Sequence, residues 1–195
     1  MARIESAVPS NVTGSPRVLV IEDHADTRRL YAEFLETVGF EVFSSGHGEE
    51  ALTLAASLAI DVTVVDLSVG FGFVRALAAL PKHLLLIALT GREQTGAPEE
   101  ALFDAYLVKP CLPEELLRTI QGALTRAAHD FELVSALIVS GAYCVACIAR
   151  KAQIPRERVV ASFRRIETEW REPVIDTARC VSCKTTTTVY SLRVP

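Results

Sequence analysis

The chain has 195 residues, half of them hydrophobic, and a net charge of −4, so it can hold one large or two small domains and bury a core without staples. Residues 1–129 carry 10 Lys and Arg against 17 Asp and Glu, and residues 130–195 carry 10 against 7; the small basic excess at the back permits nucleic-acid contact without demanding it. No secretory segment opens the chain and no run reaches the roughly 18 unbroken apolar residues of a membrane span, which points to a cytoplasmic protein with no membrane partner and no structural disulfides.

Residues 1–15 are rich in Ser, Asn, Gly and Pro and read as a mobile tail. RVLVIED (17–23) is a short apolar run of the buried parallel-strand type that ends in acids. TRRLYAEFLETV follows with Leu30, Phe34 and Val38 at helical spacing, and Gly39 is its stop signal. FEVFSS is a strand, GEEALTLAASLA a helix, and DVTVVDL (61–67) another apolar strand ending in an acid. FVRALAAL, HLLLIALT, the segment around PEEALFDA, AYLVKP and PEELLRTIQGALTRA continue the alternation. Five βα units predict an α/β fold, a doubly wound five-stranded parallel sheet with helices on both faces.

In such sheets ligands bind at the carboxyl ends of the strands. Glu22 and Asp23, Asp66, Thr90 and Lys109 all fall there. Three carboxylates in one crevice repel each other and make sense around a hard cation with oxygen ligands; Mg²⁺ fits a small site shared with phosphate oxygens. A lysine and a hydroxyl nearby suit the remaining oxygens of a phosphoryl group.

VLVIEDHADTRRLYAEFLETVGFEVFSSGHGEEAL, then VVDL, ALT and AYLVKP, resembles the receiver domain of two-component response regulators over about 110 residues. The resemblance implies that Asp66 takes a phosphoryl group from a histidine kinase or phosphotransfer protein. It implies that Glu22 and Asp23 hold Mg²⁺ with Asp66 and the backbone carbonyl of Ser68. It assigns Lys109 to pair with the phosphoryl group, Thr90 to move toward it and Tyr106 to swing inward as a switch. The protein itself would be no enzyme beyond accepting the group and assisting its hydrolysis. Two departures stand out. Only SVGFGF separates Asp66's motif from the next helix, and the stretch from Thr90 to Lys109 is short, which predicts a stunted fourth helix. Both fall on machinery that senses phosphorylation and often supports dimerisation, so a homodimer and a degenerate receiver both stay open.

The fifth receiver helix is expected to end near residue 127, with a linker around ALTRAAHD, giving a receiver over 16–127 and a second domain over 128–195. FELVSALIVSG is a helix ending at Gly141; YCVACIARKAQ is a second, broken at Ile154-Pro155; RERVVASFRRIETEW is a third, with Val159, Phe163, Ile166 and Trp170 as its apolar stripe. PVIDTAR and TTTTVYSL are β-prone and flank C-V-S-C. Three helices and a hairpin give the order of a winged helix-turn-helix, and IARKAQIPRERVVASFRRI resembles the helix-turn-helix segment of bacterial regulators. On that basis residues 156–169 would read DNA through a solvent face containing Arg158, Ser162, Arg164 and Arg165.

Cys144, Cys147, Cys180 and Cys183 form two C-x₂-C pairs, the spacing of a tetrahedral Zn²⁺ site, whose role would be structural because all four positions are filled. A protein-interaction module and a redox-active thiol cluster are the alternatives to a zinc-stabilised DNA-binding output. Cys111, beside Pro110, reads as packing, and His24 and His47 as surface residues.

Overall fold

A computed structural model of the chain describes residues 15–70, 72–80, 84–91, 102–169 and 172–192. The tail expected over 1–15 lies almost wholly outside these residues, as do the body of the expected fourth receiver helix and Trp170. The described residues fall into two compact units, one up to Leu124 and the other from Thr125 onward.

The first unit alternates strand and helix: β1 (Arg17–Ile21), α1 (Ala25–Thr37), β2 (Glu41–Ser45), α2 (Gly48–Ser57), β3 (Val62–Asp66), α3 (Gly72–Ala78), β4 (Leu85–Thr90) and β5 (Ala105–Val108). All four pairings are parallel, in the order β2-β1-β3-β4-β5. The five-stranded parallel sheet expected from the sequence is therefore present. From β1 the chain moves one way to β2, then back across β1 to β3 and onward. Right-handed crossovers consequently put α1 on one face and α2 and α3 on the other.

Side chains alternate along each strand, so Leu19, Ile21 and Val65 join Ala51, Ala55, Val74 and Leu77 in one buried cluster. Every residue of β3 is buried, as expected of a central strand covered on both faces. On α1 the buried residues are Tyr31 and Leu35, whereas Leu30 is 53% exposed. The stripe expected through Leu30 is thus displaced by one residue, with Phe34 and Val38 half-buried at its margin. Gly39 does end the helix: its φ of 100° suits a residue without Cβ, its N–H donates to Glu36 O, and Phe40 N–H donates to Leu35 O.

The largest departure is α4 (Pro113–Ser140), one helix of 28 residues that runs through the expected linker. The segment ALTRAAHD has neither Pro nor Gly and is rich in strong helix formers, so nothing in it stops the helix. The two helices expected on either side of residue 127 are one, and the division between units falls inside it.

The second unit continues with α5 (Val145–Ala152), α6 (Arg156–Glu169) and an antiparallel hairpin of β6 (Val174–Arg179) and β7 (Thr186–Ser191). Gln153, in the left-handed region at φ 59°, closes α5 before the Ile154-Pro155 turn. Val134, Ile138, Ile148, Val159, Phe163 and Ile166 form its core, and Phe163 stacks on Tyr190 of β7 at 4.2 Å between ring centroids. Among the described residues no helix is long and apolar enough to cross a membrane.

Candidate functional site

β1 and β3 are neighbours while β1 also pairs with β2, so the chain reverses direction beside β1 and opens a crevice at the strand ends. Glu22 and Asp23 follow the last residue of β1, Asp66 ends β3, Thr90 ends β4 and Lys109 follows β5. Register brings them level: Asp66 pairs with Leu89, and Thr90 with Val108.

Lys109 Nζ lies 2.6 Å from Glu22 Oε2 and 2.7 Å from Asp66 Oδ2. Glu22 is 1% exposed and Asp66 5%, so the ammonium balances two carboxylates that have lost most of their water. Asp66 also caps the short 3₁₀ turn after it (Leu67–Val69): its Oδ1 accepts the Ser68 N–H at 3.0 Å and its Oδ2 the Ser68 hydroxyl at 2.5 Å. The same hydroxyl is 3.4 Å from Asp23 Oδ1. Oxygens of Glu22, Asp23 and Asp66 all lie within 4.8 Å of one another.

Burial raises the Glu22 carboxyl above its ordinary value, with Lys109 only partly opposing it. Burial also pushes Asp66 up, but the Lys109 ammonium and the Ser68 hydroxyl and N–H outweigh it and hold that carboxyl below the usual range. Lys109, which burial alone would lower, is raised by its two carboxylate partners. The ion pair therefore favours the ionised form of the Asp66 carboxyl.

Of the residues expected here, Glu22, Asp23, Asp66, Ser68 and Lys109 are brought together. Thr90 is half-buried at the adjoining strand end, its carbonyl accepting the Lys109 N–H at 2.7 Å. Tyr106 lies within β5, edge-on to Phe103 with 5.2 Å between centroids.

Sequence reasoning missed Arg28, whose Nη1 donates to the carbonyls of Glu22 (2.6 Å) and Asp23 (3.3 Å) and fixes the acidic loop. It also missed His24, the N-cap of α1, whose Nδ1 accepts the Thr27 N–H. Cys111 accepts a hydrogen bond from the buried Tyr31 hydroxyl at its carbonyl, 3.3 Å away.

In the second unit the four cysteine sulfurs lie within 4.8 Å of one another. Two of the four residues expected on the solvent face of α6 are engaged within the unit. Ser162 is buried, its hydroxyl donating to Arg158 O. Arg158 grips the buried Asp130 of α4, with Nε 2.6 Å and Nη2 2.5 Å from Oδ2. The reason is rotational: Val159, Phe163 and Ile166 face the core, and the turn between them carries Ser162 inward. Arg164 is exposed, and the half-buried Arg165 lays its guanidinium over the Phe131 ring, 4.9 Å from the centroid.

Residues 18–121 match the family model described as the response regulator receiver domain. The chain belongs to that family. It is 32% identical over 147 residues to the transcriptional regulatory protein PrrA of Mycobacterium tuberculosis, covering 72% of this chain and 63% of PrrA. Among solved structures, it superposes on the chemotaxis response regulator CheY4 of Vibrio cholerae with a TM-score of 0.52 at 30% identity, covering 56% of this chain and 98% of that one. The response regulator TrrA of Thermotoga maritima, solved with Mg²⁺ and beryllofluoride, gives 0.51 at 25% identity over 55% of this chain and 98% of that one. The chain thus spans less than two thirds of PrrA's length, and both structural matches cover little more than half of the chain.

Proposed function

We propose that the chain is a two-component response regulator in which Asp66 accepts a phosphoryl group from a histidine kinase or phosphotransfer protein. The observation that carries this is the buried Asp66 held ionised by Lys109 at the end of the central strand. In the transfer, an Asp66 oxygen attacks phosphorus and the bond from phosphorus to the donor imidazole breaks. The imidazole keeps the electron pair and is protonated by solvent.

The donor set of Glu22, Asp23 and Asp66 is all oxygen and close enough for one small hard cation, so these residues fit Mg²⁺. When bound, Mg²⁺ would supply positive charge to offset that of the phosphoryl oxygens. Lys109 exchanges its carboxylate contacts for a phosphoryl oxygen, and the Thr90 hydroxyl at the next strand end takes another. Catalysis of this kind is positioning and charge neutralisation. Tyr106 on β5 would report the change by moving inward.

The full chain is incubated with a small acyl phosphate and Mg²⁺ and its intact mass is read. One added phosphoryl group, absent from Asp66→Ala, is the expected result; an unlabelled wild type sinks the proposal and leaves a degenerate receiver.

The second unit is read as the output that binds DNA to regulate transcription; the relative PrrA is named a transcriptional regulatory protein. Its support is a short helix, a left-handed residue and a second helix, α5-Gln153-α6, with Lys151, Arg156 and Arg164 exposed. A specific observation favours a second reading, a protein-interaction module: Arg158 is committed to Asp130, Ser162 is buried, and the remaining arginines of α6 share it with exposed Glu157 and Glu167. A salt titration of DNA affinity separates them; binding that falls with the logarithm of salt supports the DNA output, and a flat response or no binding supports the module.

A further inference from the structure

We propose that Cys144, Cys147, Cys180 and Cys183 form a closed tetrathiolate site for one zinc ion, and that this ion fixes the turn of the β6–β7 hairpin to the start of α5. The proposal stands apart from the phosphotransfer reading, since none of its residues belongs to the carboxylate pocket.

Four sulfurs around zinc at ~2.3 Å are separated from one another by ~3.8 Å. The Cys144 and Cys183 sulfurs are 3.9 Å apart, and all four lie within 4.8 Å of one another as free thiols. The surrounding backbone is arranged as a thiolate cradle. Cys144 N–H donates to Cys180 Sγ at 3.5 Å. Lys184 sits in the left-handed region at φ 64°, which folds the chain back so that its N–H reaches Cys180 O. Arg150 Nη2 is 3.5 Å from Cys147 Sγ and 3.3 Å from Ser182 Oγ, placing a positive charge beside a site whose four thiolates outnumber the charge of a divalent ion.

Soft sulfur ligands in a tetrahedral set select zinc over the hard cation of the other pocket. The hairpin is held at both ends, but by less at its turn. At its open end Tyr190 pairs with Tyr143 and stacks on Phe163, and Leu192 N–H reaches Ile138 O. At the turn, the polar contacts among the described residues are Val181 N–H to Ala142 O, Arg150 Nη2 to Ser182 Oγ and Cys144 N–H to Cys180 Sγ. Two strands alone are marginal in water, so an ion bound by both C-x₂-C pairs fixes them.

The full chain, purified without chelator, should carry about one zinc per molecule. Its cobalt-substituted form should show the visible bands of a tetrahedral ion and thiolate-to-metal charge transfer. Chelation should abolish hydrogen-exchange protection in β6 and β7 while β1 and β3 keep theirs. Cys183→Ser should lose metal affinity and Cys111→Ser should not. If Cys183→Ser fails to fold, the cobalt spectrum and exchange data of the wild type decide the matter. Iron in place of zinc, no metal at all, two disulfides among the four cysteines, or a hairpin whose protection survives chelation would each overturn the proposal.

Discussion

The carboxylate pocket and the cysteine cluster are both crowds of groups that repel each other when ionised, yet they are held together differently. In the pocket the backbone does the assembling: each acid sits at the end of a strand in a fully paired parallel sheet, and Lys109 already bridges two of them. In the cluster the cysteines sit at the N-cap and first turn of an eight-residue helix and at the turn of a two-stranded hairpin. The first arrangement should keep its shape without an ion, because a lysine balances the charge and a sheet supplies the geometry. The second has one arginine beside a single sulfur and only a two-stranded hairpin for geometry. Metal should therefore modulate the one and be part of the fold of the other.

The sharpest way to break this contrast is to remove the pocket's own cation. Lys109→Met leaves Glu22 and Asp66 buried without a counter-charge and should cost about 4 kcal/mol in Mg²⁺-free urea unfolding at pH 7. Without the lysine both carboxyls rise, so the deficit should shrink as pH falls through the carboxylate range and the acids become neutral. In the wild type, Asp66 lies below its ordinary 3.8; its contribution is present above that value and lost as pH falls through the folded one. Added Mg²⁺ should stabilise the variant more than the wild type, and equal effects would show that lysine and cation do not substitute for each other.

A smaller effect separates structure from DNA contact in the second unit. Arg158→Met strands Asp130, whose Oδ1 has no hydrogen-bond partner among the described residues, and should cost about 2 kcal/mol after allowance for the partial exposure of the arginine. If instead stability is unchanged and DNA affinity alone falls, Arg158 belongs to the interface after all. His24→Ala removes the cap of α1 and should lower stability by about 1 kcal/mol. The smallest change in stability belongs to Arg164→Ala, within about 0.5 kcal/mol of wild type; on the DNA reading it should reduce the salt slope by about one.

The strand ends were legible because each is an apolar run stopped by a polar residue, a pattern that states both burial and direction. Glu22, Asp66 and Lys109 could thus be placed in one crevice before any distance was known. Other features left no local trace. Leu30 and Tyr31 are adjacent, and helical spacing accommodates either; burial selects Tyr31, whose hydroxyl finds Cys111 eighty residues away. The continuity of α4 was hidden by expecting a domain boundary to interrupt a helix, although ALTRAAHD contains no stop signal. Arg158 looked like a solvated charge because its partner, Asp130, is 28 residues distant on another helix. A charge reads as exposed until its opposite is found. Arg28 went unnoticed for a related reason: its partners are carbonyl oxygens, which every residue carries.

That arginine has a consequence for how the chain can vary over time. A Cβ added at Gly46, just after β2, would lie 2.9 Å from Arg28 Nη1. Any side chain acquired at position 46 would therefore displace the guanidinium that steadies the loop bearing Glu22 and Asp23. Among descendants of this chain the two positions should drift as a pair: glycine retained wherever arginine is, and freedom at 46 only where a shorter residue has replaced Arg28.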